Sequence, residues 1–201
     1  DALRNYKYVS SNKSLLDKLM NPFWEYVITL FPMTMAPNLI TLSGTIQFMG
    51  LMFVAQFFYP LNTCPPGYIW ILYALSLFIY QTMDAIDGKQ ARRTKQSSPL
   101  GQLFDHGNDA LMAPAIMYTL FQLLLNVNNW AFIIYYILSN FLVFSMNWRA
   151  KHEGHFDFGL ISVTEGQFAG ITFYIIAACF GCEIYFYEIS GIYIKDIFMF
   201  L

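Results

Sequence analysis

Residues 84–110 read DAIDGKQARRTKQSSPLGQLFDHGNDA and lie between two strongly apolar segments. Four aspartates, two arginines, two lysines and a histidine fall in this one stretch. The D-x-x-D spacing of Asp84 and Asp87, and the D-x-x-x-D spacing of Asp105 and Asp109, put each pair on one face of a helix. Two helices can therefore turn two carboxylate pairs toward each other. Near a bilayer each carboxylate costs roughly 2.5–3.5 kcal/mol on insertion scales, so the cluster calls for a cation among its oxygens. Oxygen ligands with no cysteine close by favour a hard ion, Mg²⁺ or Mn²⁺, over zinc.

The surrounding composition sets the class. Of 201 residues, 57% are hydrophobic and 12% charged, against about 25% charged in soluble domains. The chain is therefore read as an all-α polytopic membrane protein. A net charge of −2 and the lack of a basic stripe interleaved with aromatics argue against a nucleic-acid partner. Cys64, Cys179 and Cys182 suggest no disulfide framework, and C-x-x-C at 179–182 reads as ordinary packing. Charges scattered through the first 38 residues do not form a cleavable signal peptide.

Two parts follow along the chain: an N-terminal segment, 1–37, and a transmembrane domain, 38–201. From Ser14 to Phe31, the apolar residues Leu15, Leu19, Phe23, Val27 and Phe31 recur at helical spacing beside Leu16, Met20, Trp24 and Ile28. Asp17, Lys18, Asn21 and Glu25 take the other side. This pattern predicts an interfacial amphipathic helix lying on the membrane, with Pro22 kinking it or starting a second piece. Spans are then expected at Asn38–Tyr59, from Tyr68 past Thr82 into Arg92, from Pro99 to about Leu125, from Trp130 to about Trp148 and at Thr164–Phe180. Gly166 and Gly170 form a G-x-x-x-G suited to close helix contact. A further apolar segment from Ile184 is interrupted by Glu188, Lys195 and Asp196.

Basic residues assign the sides. Arg4, Lys7, Lys13 and Lys18 precede the first span. Lys89, Arg92, Arg93 and Lys95 separate the second and third, and Arg149 and Lys151 the fourth and fifth. The other connectors have no Lys or Arg, so the basic set is expected on the cytoplasmic side. Asp84, Asp87, Asp105, His106, Asp109 and Glu165 then share the cytoplasmic ends of their spans, in a polar cavity open to a water-soluble donor and, sideways, to a lipid. The sequon Asn12-Lys13-Ser14 falls on the same side and is expected to stay unmodified.

The full pattern, D-x-x-D-G-x-x-A-R-x₈-G-x₃-D-x₃-D from Asp84 through Gly88, Ala91, Arg92 and Gly101 to Asp109, resembles the signature of the CDP-alcohol phosphatidyltransferases. The run YQTMDAIDGKQARRTKQSSPLGQLFDHGNDA is similar to the eukaryotic choline and ethanolamine phosphotransferases within that family. So are PNLITLSG at the first span, TEGQ at the fifth and YKYVSSNKSLLDKLMNPFW near the start. The resemblance covers most of residues 6–170. It implies a ten-span fold, usually a homodimer, of the endoplasmic reticulum or Golgi membrane. At 201 residues the chain has about half the family's length, so it is expected to be a C-terminally shortened piece of that fold with at least five spans.

The activity implied is transfer of phosphocholine or phosphoethanolamine from its cytidine diphosphate ester to diacylglycerol, with release of CMP. By resemblance the four aspartates hold two Mg²⁺ or Mn²⁺ ions, while Gly88, Ala91, Arg92, Gly101 and Asn38 belong to the nucleotide site. Gly88 leaves space for the nucleotide against the helix, and Arg92 offers its fork to phosphate oxygens. His106 maps onto the family's catalytic base and Glu165 onto the carboxylate that orients it. Glu165 also suits a helix start, where the dipole favours a carboxylate. Tyr80 and Trp148, near the cytoplasmic ends of their spans, are candidates for a cation–π contact with a quaternary head group. Two alternatives share the carboxylates: a transferase using CDP-diacylglycerol with an inositol or glycerol phosphate acceptor, and a divalent-cation transporter. The second leaves Gly88, Ala91, Arg92 and Gly101 without a purpose.

Overall fold

The structure, a computed structural model, describes residues 14–61, 63–123, 129–153, 162–189 and 192–194. The expectations for Arg4, Lys7, Asn12 and Lys13, the connector beyond Glu153, and Lys195 and Asp196 lie outside the described residues.

Six α-helices follow one another: α1 Leu15–Thr29, α2 Pro37–Phe58, α3 Gly67–Arg93, α4 Pro99–Leu123, α5 Asn129–Glu153 and α6 Val163–Phe180. By length and composition, α2, α3 and α6 are apolar enough to cross a membrane. α4 and α5, at 25 residues each, match them in length at about 1.5 Å per residue. α4 carries Asp105 and Asp109, and α5 contains an apolar stretch, Tyr136–Met146, among its described residues. The chain is a helical, multi-pass membrane protein. α3 lies between α2 and α6, α4 packs on α2 and α6, and α5 on α4.

Local sequence explains the helix ends. Pro37 opens α2 at a position where its missing N–H is not needed. α3 closes in a Schellman turn: Gln96 N–H donates to Ala91 O at 2.8 Å and Lys95 N–H to Arg92 O at 3.3 Å. Lys95 occupies the left-handed position, φ 58°, that usually belongs to glycine. This turn reverses the chain into Pro99, and α4 returns to pack on α2 and α6.

α1 departs from one expectation, since it remains a single helix through Pro22 rather than starting a new piece. Its apolar residues divide between two faces. Trp24 and Ile28, with Met20 and Val27, pack on Ile40 of α2 and on Met83 and Ile86 of α3. Leu15, Leu19, Tyr26 and Leu30 face outward, as expected of a helix lying in the membrane interface. Packing on both sides of Pro22 compensates for the backbone hydrogen bond the proline cannot make.

The main core is aromatic, with Trp70 stacked on Tyr174 at 5.9 Å and Tyr73 beside both. Only one glycine of the G-x-x-x-G is at a contact: a Cβ at Gly170 would meet Leu77 at 3.3 Å, whereas one at Gly166 would meet nothing within 4 Å. Among the described glycines the tightest approach is at Gly67, where a Cβ would lie 2.6 Å from the Ala178 carbonyl oxygen and force the α3 and α6 backbones apart.

At that same end the cysteine expectation is overturned. Cys64 and Cys182 form a disulfide with Cα atoms 5.9 Å apart, leaving Cys179 free. The two are 118 residues apart in sequence, and only the antiparallel return of α6 alongside α3 brings them together. The apolar segment expected from Ile184 begins instead as a 3₁₀ turn, Cys182–Phe186. A short antiparallel pairing of β1, Glu188–Ile189, with β2, Ile192–Tyr193, follows.

Candidate metal and nucleotide site

The Schellman turn at Thr94–Gln96 faces the last turns of α3 toward the first turns of α4. Three of the four aspartates converge across that junction. Carboxylate oxygens of Asp84, Asp105 and Asp109 lie within 4.8 Å of one another. One oxygen each of Asp84 and Asp105 is buried with no hydrogen-bond partner. Buried, unsatisfied carboxylate oxygens at this spacing are costly unless a cation joins them, and an all-oxygen donor set suits a hard divalent ion. The residues therefore fit the expected metal.

Asp87, one turn along α3 from Asp84, stands beside the trio rather than in it. The Thr41 hydroxyl donates to its Oδ2, and its carboxylate lines an adjoining cavity. That cavity, of about 450 Å³, is bounded on the α3 side by Gly88, Ala91 and Arg92, on the α4 side by Gly101, Gln102 and Asp105, and at its edge by Pro37 and Asn38. All five residues assigned to the nucleotide thus line one cavity that touches the aspartates.

The glycines leave space where side chains would intrude. A Cβ on Gly88 would come 3.5 Å from Arg92 Nη1, and one on Gly101 would come 3.4 Å from Ser98 Oγ and 3.6 Å from Asn38 Oδ1. Ser98 Oγ also accepts from Gly101 N–H at 3.1 Å, capping the start of α4 at the cavity rim.

Other assignments come out differently. Tyr80 is buried, and its hydroxyl donates to Asp109 Oδ1 at 3.1 Å. Trp148 is exposed on α5 between Phe144 and His152. The two rings make no contact with each other among the described residues. Glu165 sits in the first turn of α6. Its Oε1 accepts from the Ser14 hydroxyl and from Leu16 N–H at 3.1 Å, and its Oε2 accepts from Ser162 N–H at 2.8 Å and Ser162 Oγ at 2.6 Å. The expected pairing with His106 is not made among the described residues. His106 lies on α4 between Asp105 and Asp109, half-buried, in the turn that carries the metal-facing carboxylates.

Sequence reading missed Thr41, Ser98, Gln96 and Gln102. Thr41 carries the only available signal, since it sits one turn after Asn38 on the α2 face turned to α3.

Residues 34–198 match the model of the CDP-alcohol phosphatidyltransferase family. Among curated relatives, cholinephosphotransferase 1 of Gallus gallus is 36% identical over 197 residues, covering 93% of this chain and 56% of the relative. A Dictyostelium discoideum protein named as an uncharacterized CDP-alcohol phosphatidyltransferase class-I family protein 1 is 38% identical over 193 residues, 94% of this chain and 50% of its own. Cholinephosphotransferase 1 of Homo sapiens is 36% identical over 196 residues, 96% and 48% respectively. The chain spans about half the length of the curated relatives it matches. With the family match running through every element of the site, the chain belongs to the CDP-alcohol phosphatidyltransferase family.

Proposed function

We propose that this chain carries the catalytic part of an enzyme that transfers phosphocholine or phosphoethanolamine from the CDP-alcohol to diacylglycerol. The observation that supports this most directly is the junction of a three-carboxylate cluster with a cavity lined by Gly88, Ala91, Arg92, Gly101 and Asn38. The cholinephosphotransferases among its relatives favour choline as one head group.

Asp84, Asp105 and Asp109, joined by Asp87, would hold Mg²⁺ or Mn²⁺. When bound, such ions neutralise the donor's pyrophosphate and the charge that develops in transfer. Arg92 grips phosphate oxygens from the cavity wall. His106 takes the proton from the diacylglycerol hydroxyl. The hydroxyl oxygen forms a bond to the phosphorus that bears the alcohol, the bond from that phosphorus to the CMP oxygen breaks, and CMP leaves with the electron pair.

The membrane arrangement follows from the same residues. The basic ends of α3, and of the segment before α2, lie on the cytoplasmic side, and the Cys64–Cys182 disulfide lies on the opposite, oxidising side. An endoplasmic reticulum or Golgi membrane and a homodimeric assembly complete the proposal.

The test supplies CDP-choline, CDP-ethanolamine and CDP-diacylglycerol separately to the purified protein in lipid, with Mg²⁺ and the matching acceptors, and measures CMP. Release with the first two and diacylglycerol is expected. Release with CDP-diacylglycerol alone would overturn the assignment in favour of the other branch of the family.

A further inference from the structure

Lys89, Gln90 and Arg93 are interleaved with the signature residues of α3, and the helix turns them the opposite way. At about 3.6 residues per turn, Asp87, Gly88, Ala91 and Arg92 share the face that lines the nucleotide cavity, while Lys89, Gln90 and Arg93 share the face packed on α1. Arg93 Nη1 donates to the Ile28 and Phe31 carbonyls at 2.7 and 2.9 Å, and Lys89 Nζ to Asn21 and Glu25. Gln90, fully buried, donates from Nε2 to the Pro32 and Met35 carbonyls at 2.9 and 3.0 Å.

The segment that owns those last two carbonyls needs outside support. Pro32 and Pro37 have no N–H, so α1 does not run on into α2 as one helix. Within the 30–36 turn the backbone supplies a bond from Met35 N–H to Pro32 O at 3.1 Å. The turn leads directly into Pro37 and Asn38, the edge of the nucleotide cavity. One stretch of α3 therefore forms the cavity wall with its own side chains and holds the cavity edge through the turn.

Gln90 Oε1 is buried with no hydrogen-bond partner among the described residues. A hydrocarbon side chain of the same length would avoid that cost. What glutamine adds here is a pair of N–H groups aimed at the turn.

We propose that Gln90 is a positioning residue for the nucleotide donor: its two N–H groups fix the 30–36 turn and, through it, hold Asn38 at the distance from Arg92 that the donor requires. The nucleotide readout rests on the function proposed above, but the clamp on the turn does not.

The experiment uses the full chain in lipid nanodiscs. Gln90→Met keeps the side-chain length, removes both donors and leaves no unpaired oxygen, so its thermal midpoint should stay near the parent's. KM for CDP-choline should rise about tenfold, the scale of one or two lost hydrogen bonds, with kcat changed by less than about twofold. The Kd for CMP should rise in step. In an Asn38→Ala background the same substitution should move KM by less than about twofold, because the residue through which Gln90 acts is already gone. Arg93→Gln, at an exposed position tolerant in folding, loosens the same turn at Phe31 and should give the same pattern at about threefold. For the turn itself, maleimide labelling of Met35→Cys, with Cys179→Ser removing the free thiol, should speed up about tenfold in Gln90→Met.

Labelling at the parent's rate in both Gln90→Met and Arg93→Gln would overturn the clamp. A rise in KM as large without Asn38 as with it, or a loss confined to kcat, would overturn the link from Gln90 to the donor edge. A parent protein that turns over no CDP-alcohol would defeat the proposed function, while CMP affinity and the labelling rates would still decide the role of Gln90.

Discussion

The Tyr80 hydroxyl donates to Asp109 Oδ1 at 3.1 Å from a ring that is 1% exposed. An aromatic residue one turn before Asp84 thereby fixes the orientation of a carboxylate on the neighbouring helix. Partners that orient metal ligands are typically worth 10–100-fold in metal affinity or activity, so Tyr80→Phe should raise the Mg²⁺ concentration needed for half-maximal CMP release by about tenfold. A magnesium titration of the variant checks this, with folding monitored by its thermal midpoint.

His106 and Asp87 should separate chemistry from binding. His106→Ala is expected to abolish turnover while CDP-alcohol still binds, because in the proposed mechanism the side chain takes up a proton rather than gripping phosphate. Asp87→Asn is expected to weaken metal-dependent nucleotide binding by roughly tenfold or more. Equilibrium binding of the labelled nucleotide with and without Mg²⁺, set beside turnover, distinguishes the two.

Much of this was legible in the sequence for a simple reason: the site is built from short helical spacings. Asp84, Gly88, Ala91 and Arg92 are local to one helix, so their shared face could be read without knowing where any other helix lay. The same holds for Gly101, Asp105 and Asp109. The partners that cross between elements were not legible. Thr41 on Asp87, Ser14 and Leu16 on Glu165, and Cys64 on Cys182 depend on how helices far apart in sequence are seated, which no periodicity encodes. Glu165 shows the consequence. A carboxylate at a helix start is readable as a cap or as a catalytic partner, and its contacts with Ser14 and Leu16 could not be read from the sequence.

Lys95 offers a stability test independent of function. Its φ of 58° puts it in the left-handed region, which costs an L-residue with a side chain roughly 1–2 kcal/mol. Lys95→Gly should therefore raise the thermal midpoint in detergent without moving KM.

Glu25 gives the attachment of α1 a pH dependence. Its carboxylate accepts from Lys89 Nζ at 2.5 Å, and that hydrogen bond and charge hold its pKa below the ordinary 4.5. A depressed folded pKa stabilises the packed state above about the unfolded value and loses that contribution as pH falls through the folded one. Labelling of a reporter on α1 should accelerate below pH 4.5. Lys89→Gln should blunt that acid response. Because Glu25 is largely exposed, added salt should blunt it too.

Cys64→Ala and Cys182→Ala should lower the thermal midpoint equally, and the double variant no further, since each removes the same bond. Adding reductant to the parent should reproduce the loss. Unequal shifts would show that one cysteine also stabilises the fold in another way.

At Gly67 the α3 backbone comes so close to Ala178 that no side chain fits between them, and the adjacent cystine ties the same two helix ends. Toward their opposite ends those helices meet without a covalent tie, through Gln81 donating to the Thr164 carbonyl and Phe78 against Phe168. A bundle with a covalent tie at one tip opens more easily at the other, which noncovalent contacts alone hold. Any thermal opening of this protein is accordingly delivered to the aspartate end, the side from which the proposed lipid acceptor would enter.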